Sequence, residues 1–434
     1  MDGDPNQATK LIFNDFIPLS FRITFFILLG LFLWLLLNII FFNFTRINIL
    51  NLLNLSFTPH NYTQLDNTPN NLTTGEYAST IHSEFNENQR LIKGISKSFK
   101  ILAVFNIVCW IAYKIINGDE SLRALYYTLP VVSFAFTIYK LFYKSALSPG
   151  QFRIFTTIKR ILRGNINSLS MRTNDILISD SLVSFSKVLN DLGLVIWNYW
   201  FASDIAYNYQ LEFMILCIPT CIRIKQCWFE YKSTGQKQHL LNLIKYSTGF
   251  GPLLVNVMIK RTLLKATEDE KSSGVLLLKL NMLNNWWYLV SAINSTYSFI
   301  WDIKMDWNLG MLNSLFEFRN PFYKLVILRK QLAFPTIVYY FAIVTDFILR
   351  FIWVLKIFII NEELHSDKIK FIHVFSTFLF GYDAYSFGYA VIELLEIYRR
   401  WVWCFLKLES DWVKLSKHEE EEQYELEDRL PKQG

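Results

Sequence analysis

Apolar residues along this chain fall in blocks of about twenty, set apart by short polar stretches. A window of about 19 residues places candidate membrane helices near 21–43, 100–117, 123–143, 178–202, 209–231, 240–260, 280–301, 335–360 and 373–398. The first runs without a charge from Ile23 to Phe42, about the length that a bilayer core needs at 1.5 Å per residue. That stretch exceeds the roughly 7–15 residues of a signal core and no small-x-small cleavage site follows it, so it is expected to stay as a helix. The pattern predicts an all-α, polytopic membrane protein of about nine transmembrane helices.

Composition agrees with the pattern. The 434 residues are 52% hydrophobic and only 18% charged, whereas a soluble domain averages about 45–50% and 25%. A single soluble domain is therefore excluded. The cysteines, Cys109, Cys217, Cys221, Cys227 and Cys404, lie mostly in apolar runs and read as small packing residues rather than a disulfide scaffold. A net charge of +6, with no basic patch interleaved with aromatics, gives no nucleic-acid partner.

Lys and Arg in the short loops set the orientation. Segment 144–177 carries Lys144, Arg153, Lys159, Arg160, Arg163 and Arg172, and segment 302–334 carries Lys304, Arg319, Lys324, Arg329 and Lys330; both are expected in the cytosol. Segment 1–20 offers only Lys10, and 118–122 and 203–208 are acidic. The N-terminus is then lumenal and the C-terminus cytosolic. Loop 261–275 breaks the rule, because Arg261, Lys265 and Lys271 fall on the lumenal side. The polar, Asn-rich insert 44–98 holds or borders sequons at Asn43, Asn54, Asn61 and Asn71, which point to the lumen, while the charge alternation puts it in the cytosol; charge is favoured. Residues 151–163 alternate apolar and basic positions at helical spacing, as an interfacial helix on an anionic leaflet does. The end 413–434, with Glu419 to Glu422 in a row, reads as an acidic cytosolic tail without packed structure.

Charges inside spans change the picture most. An ionisable residue at the bilayer centre costs about 2.5–3.5 kcal/mol even on a lenient scale, so it faces a protein interior or a watery path. Asp180, Lys187 and Asp191 share one span, Lys245 lies in another, Asp302 and Asp306 end a third, Asp346 and Arg350 lie in a fourth, and Arg399 with Arg400 end the last. The first three spans are taken as packing or lipid-facing, and 178–398 as surrounding a polar cavity. Residues four apart share a helical face, so Asp302 pairs with Asp306, and Asp346 with Arg350, with Trp353 a turn further on. These pairs either neutralise each other and mark the membrane edge, or line a path. Arg223, Lys245, Arg350, Arg399 and Arg400 come from four spans, and such a cluster suits a small multiply charged anion. Arg clasps phosphate with a rigid fork of donors and Lys adds a compact charge. Most of the Trp residues read as interfacial belt or packing, with Trp353 set apart as a gate.

The stretches CIPTCIRIKQCWFEY (217–231), HLLNLIKYST (239–248), SFIWDIKMDWNL (298–309), IVTDFILRFIW (343–353) and YRRWVWCFLKLESDW (398–412) closely resemble the EXS domain of eukaryotic phosphate exporters. The similarity reaches back to FYKSALSPGQFRI and so covers about 142–412. The resemblance implies a C-terminal six-helix EXS transport bundle, 178–412, preceded by the basic interfacial segment 144–177, the N-terminal helices and insert 21–143, and a short lumenal N-terminus, 1–20. It implies that Asp180, Lys245, Tyr246, Asp302, Asp306, Arg350, Arg399 and Arg400 line a phosphate route and that Trp353 gates it; Arg223 joins them from the charge reading. Val183 departs from the exporters, which carry an Asn there. Only Met1 to Ser20 precede the first span, so the SPX sensor domain of the long exporters, and direct sensing of inositol pyrophosphates, is not expected.

The short branch without SPX is implicated in returning phosphate, released during glycosylation, from the Golgi lumen to the cytosol, and its loss perturbs retention of lumenal ER proteins. The implied function is phosphate transport in the Golgi membrane, without enzymatic activity, cofactor or metal. The competing reading is a non-transporting Golgi sorting factor that retains glycosyltransferases. A membrane-embedded transferase is weaker, because Asp302 and Asp306 lack the further carboxylates of a magnesium-diphosphate site. Expected partners are inorganic phosphate, membrane lipids, glycosyltransferase-sorting machinery and a second copy in a homodimer.

Overall fold

The structure, a computed structural model, describes residues 14, 16–45, 47, 49–53, 74–143, 149–166, 171–201, 205–267, 274–310, 328–329, 331–360, 370–380 and 384–429. Among them every regular element is helical. The first helix, α1 (Leu19–Ile40), starts behind Pro18, whose carbonyl accepts from the amides of Phe21 and Arg22 at 3.0 Å. It ends in a π turn, Phe41–Thr45, where the Thr45 hydroxyl bonds back to the Phe41 carbonyl at 2.8 Å. After the short α2 (Ile49–Leu52), α3 (Thr74–Ile116) and α4 (Arg123–Phe142) form a hairpin. Asp119 shapes its turn by accepting from the Ser121 amide at 2.9 Å and hydroxyl at 2.7 Å. Because α3 begins at Thr74, the second half of the expected polar insert is helix; Asn54, Asn61 and Asn71 lie outside the described residues.

The second half of the chain holds α5 (Pro149–Leu162), α6 (Arg172–Ser184), α7 (Ser186–Trp200), α8 (Tyr209–Thr234), α9 (Lys237–Thr248), α10 (Phe250–Lys265), α11 (Val275–Trp301), α12 (Thr336–Arg350), α13 (Ile357–Ile360), α14 (Lys370–Phe380) and α15 (Phe387–Arg429). Several expected spans are broken pairs, with α6 and α7 parting at Phe185, α9 and α10 at Gly249, and α12 giving way to a 3-10 segment, Ile352–Lys356. Such breaks within a bilayer are tolerated where protein surrounds them. The expected ninth span, 373–398, is instead two helices: α14 packs back on α15, and Gly388 sits so close to the Phe378 carbonyl that no room is left for a Cβ. The helix α15 then continues through the acidic end to Arg429, which corrects the expectation of a tail without structure. Its 43 residues span about 65 Å at 1.5 Å each, roughly twice a hydrocarbon core.

Among the described residues, three stretches are long and apolar enough to cross a membrane by length and composition, Leu19–Thr45, Asn88–Ile116 and Glu120–Phe142. They coincide with the first three expected spans. The later helices show why composition is not enough there, because their surface is inside out. Leu254, Met258, Leu277, Leu278, Met282, Ile337, Phe341 and Ile348 are exposed, whereas Asp180, Asp191, Arg223, Asp302, Asp346, Glu393, Arg399 and Glu409 are buried. A soluble protein rarely buries unpaired charge or exposes a broad apolar belt; a bilayer reverses both preferences.

The helix α15 is the axis of this half. Trp403, Leu406 and Leu408 on it pack with Leu37 and Phe41 of the first helix, Ile303, Trp307, Tyr339 and Ile343. The Phe41 and Phe405 rings stack with centroids 5.4 Å apart, and the Trp401 indole donates to the Leu33 carbonyl at 2.7 Å. The first helix therefore packs against the bundle, the packing role of the two expected for it, while Phe32 and Phe44 stay exposed. The amphipathic α5 is also tied down: Arg160 clasps Asp175 of α6 with two bonds, at 2.8 and 2.5 Å, so part of its basic face is satisfied by protein.

Candidate functional site

The breaks in α6–α7, α9–α10 and α12, and the π turn Asp302–Asp306 that ends α11, bring the charged residues together against α15. The π turn is closed by the Trp307 amide on the Asp302 carbonyl at 2.8 Å; π turns recur at functional sites. It directs both carboxylates to one ammonium, with Lys245 Nζ 3.6 Å from Asp302 Oδ1 and 3.6 Å from Asp306 Oδ2. The same ammonium lies 4.9 Å from the Tyr246 ring and 5.5 Å from the Trp301 ring, faces that favour a cation.

Around Asp302 the guanidiniums interlock. Arg350 donates to Asp302 and, at 2.9 Å, to Asp346. Arg399 lies 3.1 Å from Asp346 and 3.8 Å from Asp302, and grips Glu396 through two bonds of 3.0 and 2.7 Å. On the other flank Arg223 Nε lies 2.8 Å from Asp180, the Tyr246 hydroxyl donates to Asp180 at 2.5 Å, and Arg223 donates to that hydroxyl at 3.0 Å. Arg400 joins the two flanks, 3.9 Å from Asp180 and bonded to the Ser184 hydroxyl at 3.0 Å, with its guanidinium 4.6 Å over Trp403. Trp403 in turn donates to Asp306 at 3.3 Å.

All nine of the expected route residues thus fall in one buried network, but they do not share one surface. Asp180, Arg223, Tyr246 and Asp306 line a cavity of about 110 Å³, which continues past His239 and Arg172 to Lys407, Asp411 and Lys414. That volume is far above the roughly 10–15 Å³ one water needs. Lys245, Asp302, Arg350, Arg399 and Arg400 stand behind it. The expected gate, Trp353, is not on a continuous helix with Arg350, because α12 ends there. The Ser295 hydroxyl donates to the Arg350 carbonyl at 2.9 Å and accepts the Trp353 indole N–H at 2.9 Å. The indole stacks on Tyr288 and meets Trp287 edge-on, forming an aromatic wall beside the cluster.

The bases Arg223, Lys245, Arg350, Arg399 and Arg400 are matched one for one by Asp180, Asp302, Asp306, Asp346 and Glu396. Burying so many charges is tolerable only because each has partners. An anion entering this cluster would have to take N–H donors from carboxylates.

The pattern has a match. A family description, EXS family, fits residues 17–413. The chain belongs to the EXS family. Among similar proteins, this EXS chain is 27% identical over 416 residues to Protein ERD1 homolog 1 of Schizosaccharomyces pombe, covering 93% of this chain and 92% of that one. It is 29% identical over 245 residues to Protein ERD1 of Saccharomyces cerevisiae, covering 56% of each. It is 30% identical over 259 residues to human Solute carrier family 53 member 1, covering 55% of this chain but 32% of the carrier. The EXS chain thus spans about a third of the length of the solute carrier and nearly all of the fission-yeast relative.

Sequence reasoning missed Arg22, Ser184, Glu393 and Glu396 as members of the charged interior. Arg22 lies one helical turn into an otherwise apolar span, where a lone base looks like a membrane-edge anchor. The two glutamates at i and i+3 carry a signal in hindsight: with Arg399 three residues on, they fall on one face of α15.

Proposed function

We propose that this EXS protein is a phosphate transporter or channel of the Golgi membrane that returns inorganic phosphate from lumen to cytosol after glycosylation and thereby supports retention of lumenal ER proteins and glycosyltransferases. The observation that carries the reading is the convergence of Arg223, Lys245, Arg350, Arg399 and Arg400, from α8, α9, α12 and α15, on one buried cluster beside a cavity. Similarity to a protein named as a solute carrier supports transport, and similarity to ERD1 proteins supports the retention link.

In this reading the chain crosses the bilayer about nine times, with the N-terminus in the lumen and the cavity near Lys407 and Lys414 opening to the cytosol. Phosphate passes between the Lys245/Arg350 end and the Arg399/Arg400 end by exchange of partners. An Arg fork that holds a carboxylate through two N–H bonds holds a phosphate in the same geometry, so each step trades one anion for another and no charge is left bare. Trp353 closes the path on the side of Ser295 and Arg350. No covalent step, cofactor or nucleotide is required.

The test is phosphate flux through sealed proteoliposomes holding purified protein, wild type against Arg399→Ala. Wild-type flux that Arg399→Ala abolishes supports the reading; a folded wild type with no flux overturns it. The helical continuation of α15 through Arg429, well beyond a bilayer's thickness, favours one alternative, a Golgi sorting factor that engages glycosyltransferase-sorting machinery through this rod. That reading requires truncation after Lys414 to abolish retention while Arg399→Ala leaves retention intact.

A further inference from the structure

On α15, one turn before Glu396 and away from the cavity, lies a second buried charge cluster that the phosphate route does not use. Arg22 of the first helix donates to Asp191 of α7 at 2.5 Å and to the Ala384 carbonyl at 2.7 Å. Its Nε lies 3.5 Å from Glu393 of α15. The side chains of Asp191 and Glu393 are 1% and 0% exposed, and both carboxylates crowd the single Arg22 guanidinium. Among the described residues, Asp191 Oδ1 and both oxygens of Glu393 receive no hydrogen-bond donor. Two carboxylates sharing one base, away from water, cannot both stay ionised cheaply. One proton between them removes the repulsion and supplies the missing donor.

The pair is wired to the phosphate cluster. Lys187 lies 5.4 Å over the Tyr389 ring, where Arg22 also approaches to 5.8 Å, and its ammonium is within electrostatic reach of Glu393, Glu396 and Asp191. Glu396 holds Arg399 through both oxygens and accepts from Ser184, whose hydroxyl accepts from Arg400. The remaining titratable neighbours are Tyr389 on α15, Tyr207, Glu212 of α8 and, from the 3-10 segment, Lys356. Of these, Tyr207 is bonded to Asn190 at 3.2 Å and Lys356 lies 4.4 Å over Trp287, so neither completes the carboxyl pair.

We propose that the Asp191–Glu393 pair is a proton-binding site that couples phosphate movement to a proton travelling the same way, with Lys187 and Glu396 as the link. One proton leaves the pair with a single negative charge, which Arg22 offsets, and the Lys187 charge turns to Glu396. Glu396 then competes less for Arg399 and Arg400, whose N–H donors become available to phosphate. The proton enters from one side, rests on a carboxyl oxygen and leaves on the other; no bond to phosphate forms or breaks. On a membrane whose lumen is the acidic side, this drives phosphate towards the cytosol.

The inference rests on the transport reading, and one experiment separates their failures. Proteoliposomes holding the full chain are loaded with equal phosphate on both sides, the membrane potential is clamped, and a pH step of one unit is imposed. Wild type is expected to accumulate phosphate on the alkaline side, approaching tenfold for one proton per phosphate, since one pH unit is a factor of about ten. Glu393→Gln, which leaves Asp191 its Arg22 partner, should keep downhill flux and lose accumulation; Lys187→Gln should do the same. No downhill flux in wild type overturns transport itself and this inference with it. Downhill flux without pH-driven accumulation overturns only the coupling. Accumulation unchanged in Glu393→Gln and Lys187→Gln, as selective passage of the dihydrogen phosphate anion alone would give, also overturns it.

Discussion

Replacing Arg350 by alanine and by lysine separates charge from shape at the centre of the cluster. Arg350 spends its guanidinium on Asp302 and Asp346. Without it, Asp302 keeps Lys245 at 3.6 Å and Arg399 at 3.8 Å, and Asp346 keeps Arg399 at 3.1 Å. Breaking a buried ion pair costs about 3–5 kcal/mol, and these surviving partners place the expected loss at the low end, about 3 kcal/mol, read as a lower melting temperature. The effect on transport follows from the donors lost to phosphate. One charge-assisted hydrogen bond contributes about 1.5–3 kcal/mol, so flux through Arg350→Ala should fall roughly ten- to 150-fold. Arg350→Lys restores a charge without the fork and should land between alanine and wild type. The assay is efflux of labelled phosphate from proteoliposomes, with gel filtration confirming a folded, monodisperse protein. Arg350→Ala within twofold of wild type, eluting as wild type does, would refute the assignment of this cluster to the conducting path.

Other substitutions probe the surrounding geometry. Trp353→Ala removes the indole that bonds Ser295 and stacks on Tyr288; in the same efflux assay it should raise flux severalfold, and reduced flux would argue against a gate. Tyr246→Phe deletes the hydroxyl shared by Asp180 and Arg223 and should destabilise by about 1–3 kcal/mol, seen as a lower melting temperature. Gly388→Ala pushes a Cβ against the Phe378 carbonyl and should cost about 1–3 kcal/mol or more by overpacking; an unchanged melting temperature would mean that α14 and α15 do not pack as described.

How far the sequence could be read depended on how local the cause was. The apolar run of α1 and the Asp346–Arg350 pair are matters of spacing along one helix, and both stand as expected. The breaks at Phe185 and Phe351 left no trace, because each half continues the same apolar pattern and the turn at Phe351 is enforced by neighbours such as Ser295. The break at Gly249 and the division of 373–398 did leave one, in Gly249, Gly251 and Pro252 and in GYDAYS at 381–386, breaker residues that the length of the surrounding apolar runs outweighed. Candidate site residues were legible because charge in an apolar segment is itself a signal. Their partners were harder to see: Glu396 looked like the end of a span, and Arg22 was masked by the span's other residues, since what defines its role is Asp191, 169 positions away.

The one-for-one matching of bases and acids has an electrical consequence. A unit charge moved across 100 mV gains or loses about 2.3 kcal/mol, but a cluster whose charges cancel carries no net charge through the field when its helices rearrange empty. In the transport reading proposed above, the membrane voltage then acts on the loaded protein, through the charge of the anion and of any proton that accompanies it, and is nearly silent on the return. Voltage should therefore alter the rate of net phosphate movement while leaving the resetting of the empty site almost untouched.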